Sequence, residues 1–106
     1  MLNKRTAKKI VKDYIEACKE RNILFNKVIL FGSVISGKNN EFSDIDIALV
    51  SDQFTGNPIT DWNMLVPINI RFDDIEPHPY RTKYFEAGDA FIDEVIKKEG
   101  IEIPLN

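Results

Sequence analysis

Two carboxylates set two residues apart, Asp44 and Asp46, lie within a run that is otherwise apolar: Ile45, Ile47, Ala48, Leu49 and Val50. With a strand period of two, Asp44, Asp46 and Ala48 share one face, and Ile45, Ile47 and Leu49 share the other. Like charges side by side on a strand repel each other and resist burial, and a cation between them relieves both costs. Hard oxygen ligands at this spacing suit Mg²⁺ or Mn²⁺. A pair of surface aspartates in a turn would not be threaded through alternating apolar residues.

Ten residues lie between Asp44 and the end of a second pattern, Val28-Ile29-Leu30-Phe31-Gly32-Ser33. This reads as an apolar strand that turns sharply at Gly32, where the missing side chain also lets a ligand approach the backbone. Ser33 offers a hydroxyl and an N–H to a phosphate oxygen, and a helical turn starting there adds a preference for anions. A triphosphate at Gly32 and Ser33 beside a metal at Asp44 and Asp46 makes one site. That pairing suits nucleotidyl transfer: attack on the α-phosphate of a nucleoside triphosphate, with pyrophosphate leaving.

Phe31-Gly32-Ser33, ten residues, then Asp44-Ile45-Asp46 resembles the signature of the polymerase-β-like nucleotidyltransferases. The short length and the run Ser43 to Val50 resemble the minimal nucleotidyltransferase branch, often encoded beside a HEPN-domain partner. The run Ile75-Glu76-Pro77-His78-Pro79-Tyr80 is similar to one in that branch, and the likeness extends over residues 4–103. The resemblance implies an α/β (α+β) fold: a small mixed β-sheet flanked by helices. It implies two divalent ions (Mg²⁺ or Mn²⁺), ATP as substrate, and a third carboxylate on a neighbouring strand. Among Asp73, Asp74 and Glu76, strand alternation puts Asp74, Glu76 and His78 on one face. Glu76, between Ile75 and Pro77, fits the third position best and Asp74 next. On this reading Asp44 and Asp46 hold the ions, with Glu76 on the metal nearest the nucleophile. Gly32, Ser33 and Lys38 bind the nucleotide.

The acceptor implied by the resemblance is a hydroxyl, typically of Tyr, on a HEPN-type toxin, which would make this chain an adenylylating antitoxin. The chain departs from the family in two places. Members often carry Asp where Glu76 stands. They commonly carry Arg in the turn after Gly-Ser, where this chain has Val34-Ile35-Ser36, so Lys38 or Arg81 is the substitute for phosphate contacts. These departures favour one rival, a binding module that neutralises its partner by contact. A second rival, a small-molecule nucleotidyltransferase of the aminoglycoside type, needs a substrate-holding domain that a chain of 106 residues has no room for. The acceptor therefore comes from a partner or from another subunit.

The elements that position these groups read as one domain over 1–106. Residues 4–21 form an amphipathic helix with Ala7, Ile10, Val11, Tyr14, Ile15 and Cys18 inward. Strands are expected over 27–31, 44–50 and 73–80, the last confined to an edge by Pro77 and Pro79. A polar loop spans 37–43. Helices are expected over 60–72, with Trp62, Leu65, Val66 and Ile68 buried and Pro67 as a kink, and over 89–99. Gly100 ends the last helix, and Ile101 to Ile103 adds a short extended piece. Ser43 shapes the loop, the lone His78 between two prolines reads as structural, and Phe54 and Tyr80 are candidates to line the nucleotide pocket.

The net charge of −3 and the lack of a basic tract argue against gripping extended nucleic acid. Lys4, Arg5, Lys8, Lys9 and Lys12 make a solvated helix face. No apolar run approaches the ~20 residues of a membrane span. The N-terminal residues carry no secretory segment, and the single Cys18 forms no internal disulfide, so a cytoplasmic location is expected.

Overall fold

The computed structural model describes residues 3–38 and 44–105. Ser43 and most of the polar loop lie outside the described residues. The chain order is α1 (Lys4–Glu20), β1 (Lys27–Phe31), α2 (Ser33–Ser36), β2 (Ile45–Ser51), α3 (Pro58–Asn69), β3 (Ile75–Arg81) and α4 (Thr82–Ala87). A π-helical segment (Ile92–Ile96) then runs into α5 (Lys97–Glu99), and β4 (Ile101–Glu102) follows. The four strands form a mixed sheet in the order β3-β2-β1-β4. β1 is antiparallel to β2 and β4, and β2 is parallel to β3.

α1 starts at Asn3, whose side-chain oxygen accepts the Thr6 N–H at 2.9 Å and so satisfies one of the orphan donors of the first turn. Its apolar stripe packs Ala7, Val11, Tyr14 and Cys18 against Val28, Leu30, Ile45, Ile47 and Leu49 of the sheet, with Leu65 and Ile68 of α3 beside them. This is the main core. Tyr14 donates its hydroxyl to Asn69 Oδ1 at 2.6 Å, which ties α1 to the end of α3. Burial pushes the Cys18 thiol up to about 12, against a smaller opposing effect of the Tyr14 hydroxyl. Alkylation needs the thiolate. At pH 8, iodoacetamide is therefore expected to modify Cys18 in the folded protein more than about a thousandfold more slowly than in urea, read by mass spectrometry.

Among the described residues, the opposite face of the sheet is covered only over part of its length. Ile29, Phe31, Ala48 and Val50 pack against Phe85, Ile92 and Ile96. α4, which carries Phe85, is not foreshadowed by the sequence pattern, because six residues ending at Gly88 are too short to show a helical period. The last helix begins as expected near Asp89, whose carboxylate accepts the Ile92 N–H at 2.8 Å, but it is π-helical through its centre.

β3 runs two residues later than expected, and Asp73 and Asp74 fall in the exposed turn before it. Ile45 N–H donates to the Asp74 carbonyl at 2.7 Å, which sets the phase of the parallel pairing. Asp74, Glu76 and His78 then bond to β2, while Pro77 and Pro79 turn their missing donors to the open edge, where they also block further strand addition.

α3 differs from expectation in extent and in orientation. It starts at Pro58, with the Asn57 side chain accepting the Ile59 and Thr60 N–H groups, and it ends at Asn69. Pro67 stands inside it. Leu65 and Ile68 are buried, but Trp62 and Val66 are not: they lie on the solvent side with Ile59 and Ile70. Apolar residues surround this helix, so the sequence held no clear stripe to choose. What turns it is Asp61, only 3% exposed, which accepts from Thr55 N–H at 2.7 Å, Thr55 Oγ1 at 2.9 Å and Gly56 N–H at 2.9 Å. Asp61→Ala strands three donors and is expected to cost about 3 kcal/mol in urea unfolding.

Candidate active site

The site forms where β1 ends, on the half of the sheet that the second cluster leaves open. The register sets Phe31 opposite Asp46, and Asp46 opposite Glu76. Adjacent parallel strands thus place the two carboxylates side by side on one face. Ala48 pairs with His78, one pleat further along that face. His78 Nε2 lies 3.2 Å from Asp46 Oδ1. One ligand atom each from Asp46, Glu76 and His78 falls within 4.8 Å of the others. His78, expected to be structural, lies beside Asp46 on this face. The sequence carries a signal for it, since His78 lies two residues from Glu76 and shares its face.

Glu76 titrates above the ordinary glutamate range. The first cause is a hydrogen bond with Asp46, and partial burial and the negative charges of Asp46 and Asp44 add to it, while His78 acts the other way. Two carboxylates held side by side are a poor arrangement alone and a good one around a cation. Asp44, in the exposed residue before β2, acts on Glu76 through its charge.

Gly32 opens α2 with φ +83° and ψ −154°, a conformation open in practice only to glycine. A Cβ there would overlap Asp46 Oδ2. The turn that starts at Gly32 and the carboxylate of Asp46 therefore occupy one cradle. Ser33 follows at the first position of α2 and is half-buried. Lys38 lies one turn on, exposed, with its backbone N–H on the Ser33 carbonyl at 3.1 Å. Phe31 holds the imidazole of His78 at 5.1 Å between ring centres and is met edge-on by Phe91 at 5.8 Å.

Other candidates sit elsewhere. Arg81 is five residues from Glu76 along β3, about 16 Å at the rise of a strand. It lines a cleft of about 550 Å³ with Trp62, Tyr80 and Tyr84. Phe54 is buried in the main core beside Phe25 and lines neither this cleft nor the groove of about 440 Å³ at the end of α1. Neither concavity contains the carboxylates.

A family model described as a nucleotidyltransferase domain matches residues 11–103. The chain belongs to that family, and its fold agrees. A protein of Sulfolobus solfataricus provisionally assigned as a nucleotidyltransferase superposes with TM-score 0.61 at 22% identity, over 91% of this chain and 78% of that one. A toxin-antitoxin structure solved with AMP-PNP superposes with TM-score 0.61 at 18% identity, over 93% of this chain and 73% of that one. At these identities the likeness is one of fold. No curated protein sequence matches the chain. Among the described residues, no helix is long and apolar enough to cross a membrane.

Proposed function

We propose that this nucleotidyltransferase domain transfers AMP from ATP to a hydroxyl of a partner protein, and that the partner is a toxin of the HEPN type. The observation that carries the reading is the pairing of Asp46 with Glu76 across β2 and β3, beside the glycine turn of Gly32 and Ser33. The donor set fits a divalent cation: the carboxylates of Asp46 and Glu76 lie side by side on one sheet face, and the charge of a third, Asp44, acts on Glu76. Asp44, Asp46 and Glu76 would hold Mg²⁺ or Mn²⁺. Such ions, when bound, neutralise the triphosphate and make the attacking hydroxyl acidic.

The chain's own residues do the rest. The Gly32 turn lets the triphosphate approach the backbone, and the Ser33 hydroxyl donates to the β- and γ-phosphates. The pairing of β1, β2 and β3 sets the backbone at Asp46 and Glu76, so that the two carboxylates are side by side before substrate arrives. The acceptor hydroxyl is the partner's. The toxin-antitoxin structure solved with AMP-PNP supports a toxin partner and an adenine nucleotide for this chain.

The test is label transfer from [α-³²P]ATP to the product of the adjacent gene, with Mg²⁺ or Mn²⁺. Label on a partner hydroxyl is expected. Neutralisation of the partner by Asp46→Asn without any labelling would instead establish the contact-only module. Ser33→Ala is expected to weaken ATP binding about ten- to hundredfold and AMP binding little, because it removes one hydrogen bond to a charged oxygen, worth roughly 1.5–3 kcal/mol. Calorimetry with both nucleotides checks this, and equal weakening would move Ser33 away from the outer phosphates.

A further inference from the structure

We propose that His78 is a ligand of the divalent cation at Asp46 and Glu76, and that its imidazole biases the centre away from Mg²⁺ toward Mn²⁺ and the later first-row ions. The inference rests on the metal reading above and adds to it a nitrogen donor and a metal preference.

The sheet makes the placement rigid. Glu76 and His78 are alternate residues of β3, so they share a face, and Asp46 of β2 lies beside both. His78 Nε2 stands 3.2 Å from Asp46 Oδ1. Donors about 2.1 Å from one metal ion are about 3.0 Å apart at neighbouring corners of an octahedron and about 3.4 Å apart in a tetrahedron. The observed separation lies between the two. Glu76 contributes an atom within 4.8 Å of both, so a small closure of its exposed, flexible side chain completes the set. The imidazole cannot swing far. Phe31 packs against its ring at 5.1 Å, and Pro77 and Pro79 restrict the backbone on either side. The His78 side chain keeps 30% of its surface exposed and that of Asp46 keeps 23%, so an ion can reach both from solvent.

The donor set has a chemical consequence. Three carboxylates suit Mg²⁺, which keeps oxygen ligands and water. An imidazole added to the carboxylates suits ions that bind nitrogen well, and affinity for such a set rises from Mn²⁺ to Cu²⁺. Mg²⁺ gains least from the nitrogen.

Mn²⁺ is the probe, because its electron spin reports a directly bonded ¹⁴N. Wild-type protein loaded with Mn²⁺ is expected to show ¹⁴N modulation in pulsed electron paramagnetic resonance, and His78→Asn is expected to lose it. In competition titrations the preference for Mn²⁺ over Mg²⁺ is expected to fall about tenfold in His78→Asn. Circular dichroism of the variant establishes that it is folded. Asp46→Asn, measured alongside, is expected to bind neither ion. Mn²⁺ bound to wild type with no ¹⁴N modulation would make His78 a hydrogen-bond partner of Asp46 only; the inference would then fall while the carboxylate metal site stood. No Mn²⁺ binding at millimolar concentration would overturn both.

Discussion

Asp46→Asn is expected to lower nucleotidyl transfer by at least about a thousandfold while leaving a folded protein, which is more stable than wild type when no divalent ion is present. Both halves follow from one feature. Asp46 lies opposite Glu76, and the closeness of the two carboxyls raises the titration of Glu76. An amide in place of the Asp46 carboxylate removes a charge from that pair, can donate to Glu76 and fills the same space, so the repulsion goes and the packing stays. The same change leaves the cation one carboxylate short at the centre of the cluster. Loss of one preorganised charged group at a reacting phosphate costs several kcal/mol of transition-state stabilisation, and each 1.36 kcal/mol is tenfold in rate. Divalent ion should also separate the two proteins in thermal melts. At a hundred times its dissociation constant an ion stabilises the wild type by about 2.7 kcal/mol, and it should leave Asp46→Asn unmoved. Transfer at the wild-type rate by Asp46→Asn, or equal metal stabilisation of both, would remove the carboxylates from the chemistry. Glu76→Gln is expected to act in the same direction, and Asp73→Asn, in the exposed turn before β3, to do little.

The parts of this molecule legible in the sequence are those where one local rule acts alone. The strand of Val28 to Phe31 and the strand through Asp46 are readable because an uninterrupted apolar run of four and a period-two alternation each demand extended chain buried in a sheet. The turn at Gly32 is readable because a glycine between a strand and a serine has a specific use. α1 is readable from its single apolar stripe. α3 is not, because Ile59, Trp62, Val66 and Ile70 are as apolar as the buried Leu65 and Ile68. Its rotation is decided by the Asp61 carboxylate and the loop donors of Thr55 and Gly56, a tertiary arrangement with no periodic trace. At the site, alternation places Glu76 and His78 on one face. Which of the β3 residues faces Asp46 depends on the register between two strands separated by a helix, and no sequence pattern fixes that. The proline neighbours of the one histidine suggest a structural role, and only the strand beside it shows that its ring lies next to Asp46.

Gly32→Ala is expected to damage stability and activity together, and the pairing of the two losses is what identifies the cradle. The backbone at Gly32, with φ +83° and ψ −154°, lies in a region that residues with a Cβ avoid at a cost of about 1–3 kcal/mol. The added methyl would also overlap the Asp46 carboxylate. Two responses are open to the protein. The Gly32 turn can move, which displaces Ser33 and the start of α2 from the phosphates. Alternatively Asp46 can move, which pulls its carboxylate away from Glu76 and His78. Either movement separates groups that act on one triphosphate in the proposed function, so transfer is expected to fall at least about a hundredfold, the scale on which a misplacement of about 1 Å acts. The stability loss is expected to reach about 2 kcal/mol, close to 10 °C in melting temperature for a domain of this size. Gly37→Ala is the control. Gly37 has a similarly positive φ of +80°, but a Cβ there meets nothing within 4 Å among the described residues, so the variant carries backbone strain without the collision. It should lose stability and keep most of its transfer activity at temperatures where it is folded. If Gly32→Ala, folded at the assay temperature, retains wild-type transfer, then Asp46 and the glycine turn do not share a site, and the placement of the triphosphate beside the carboxylates is wrong.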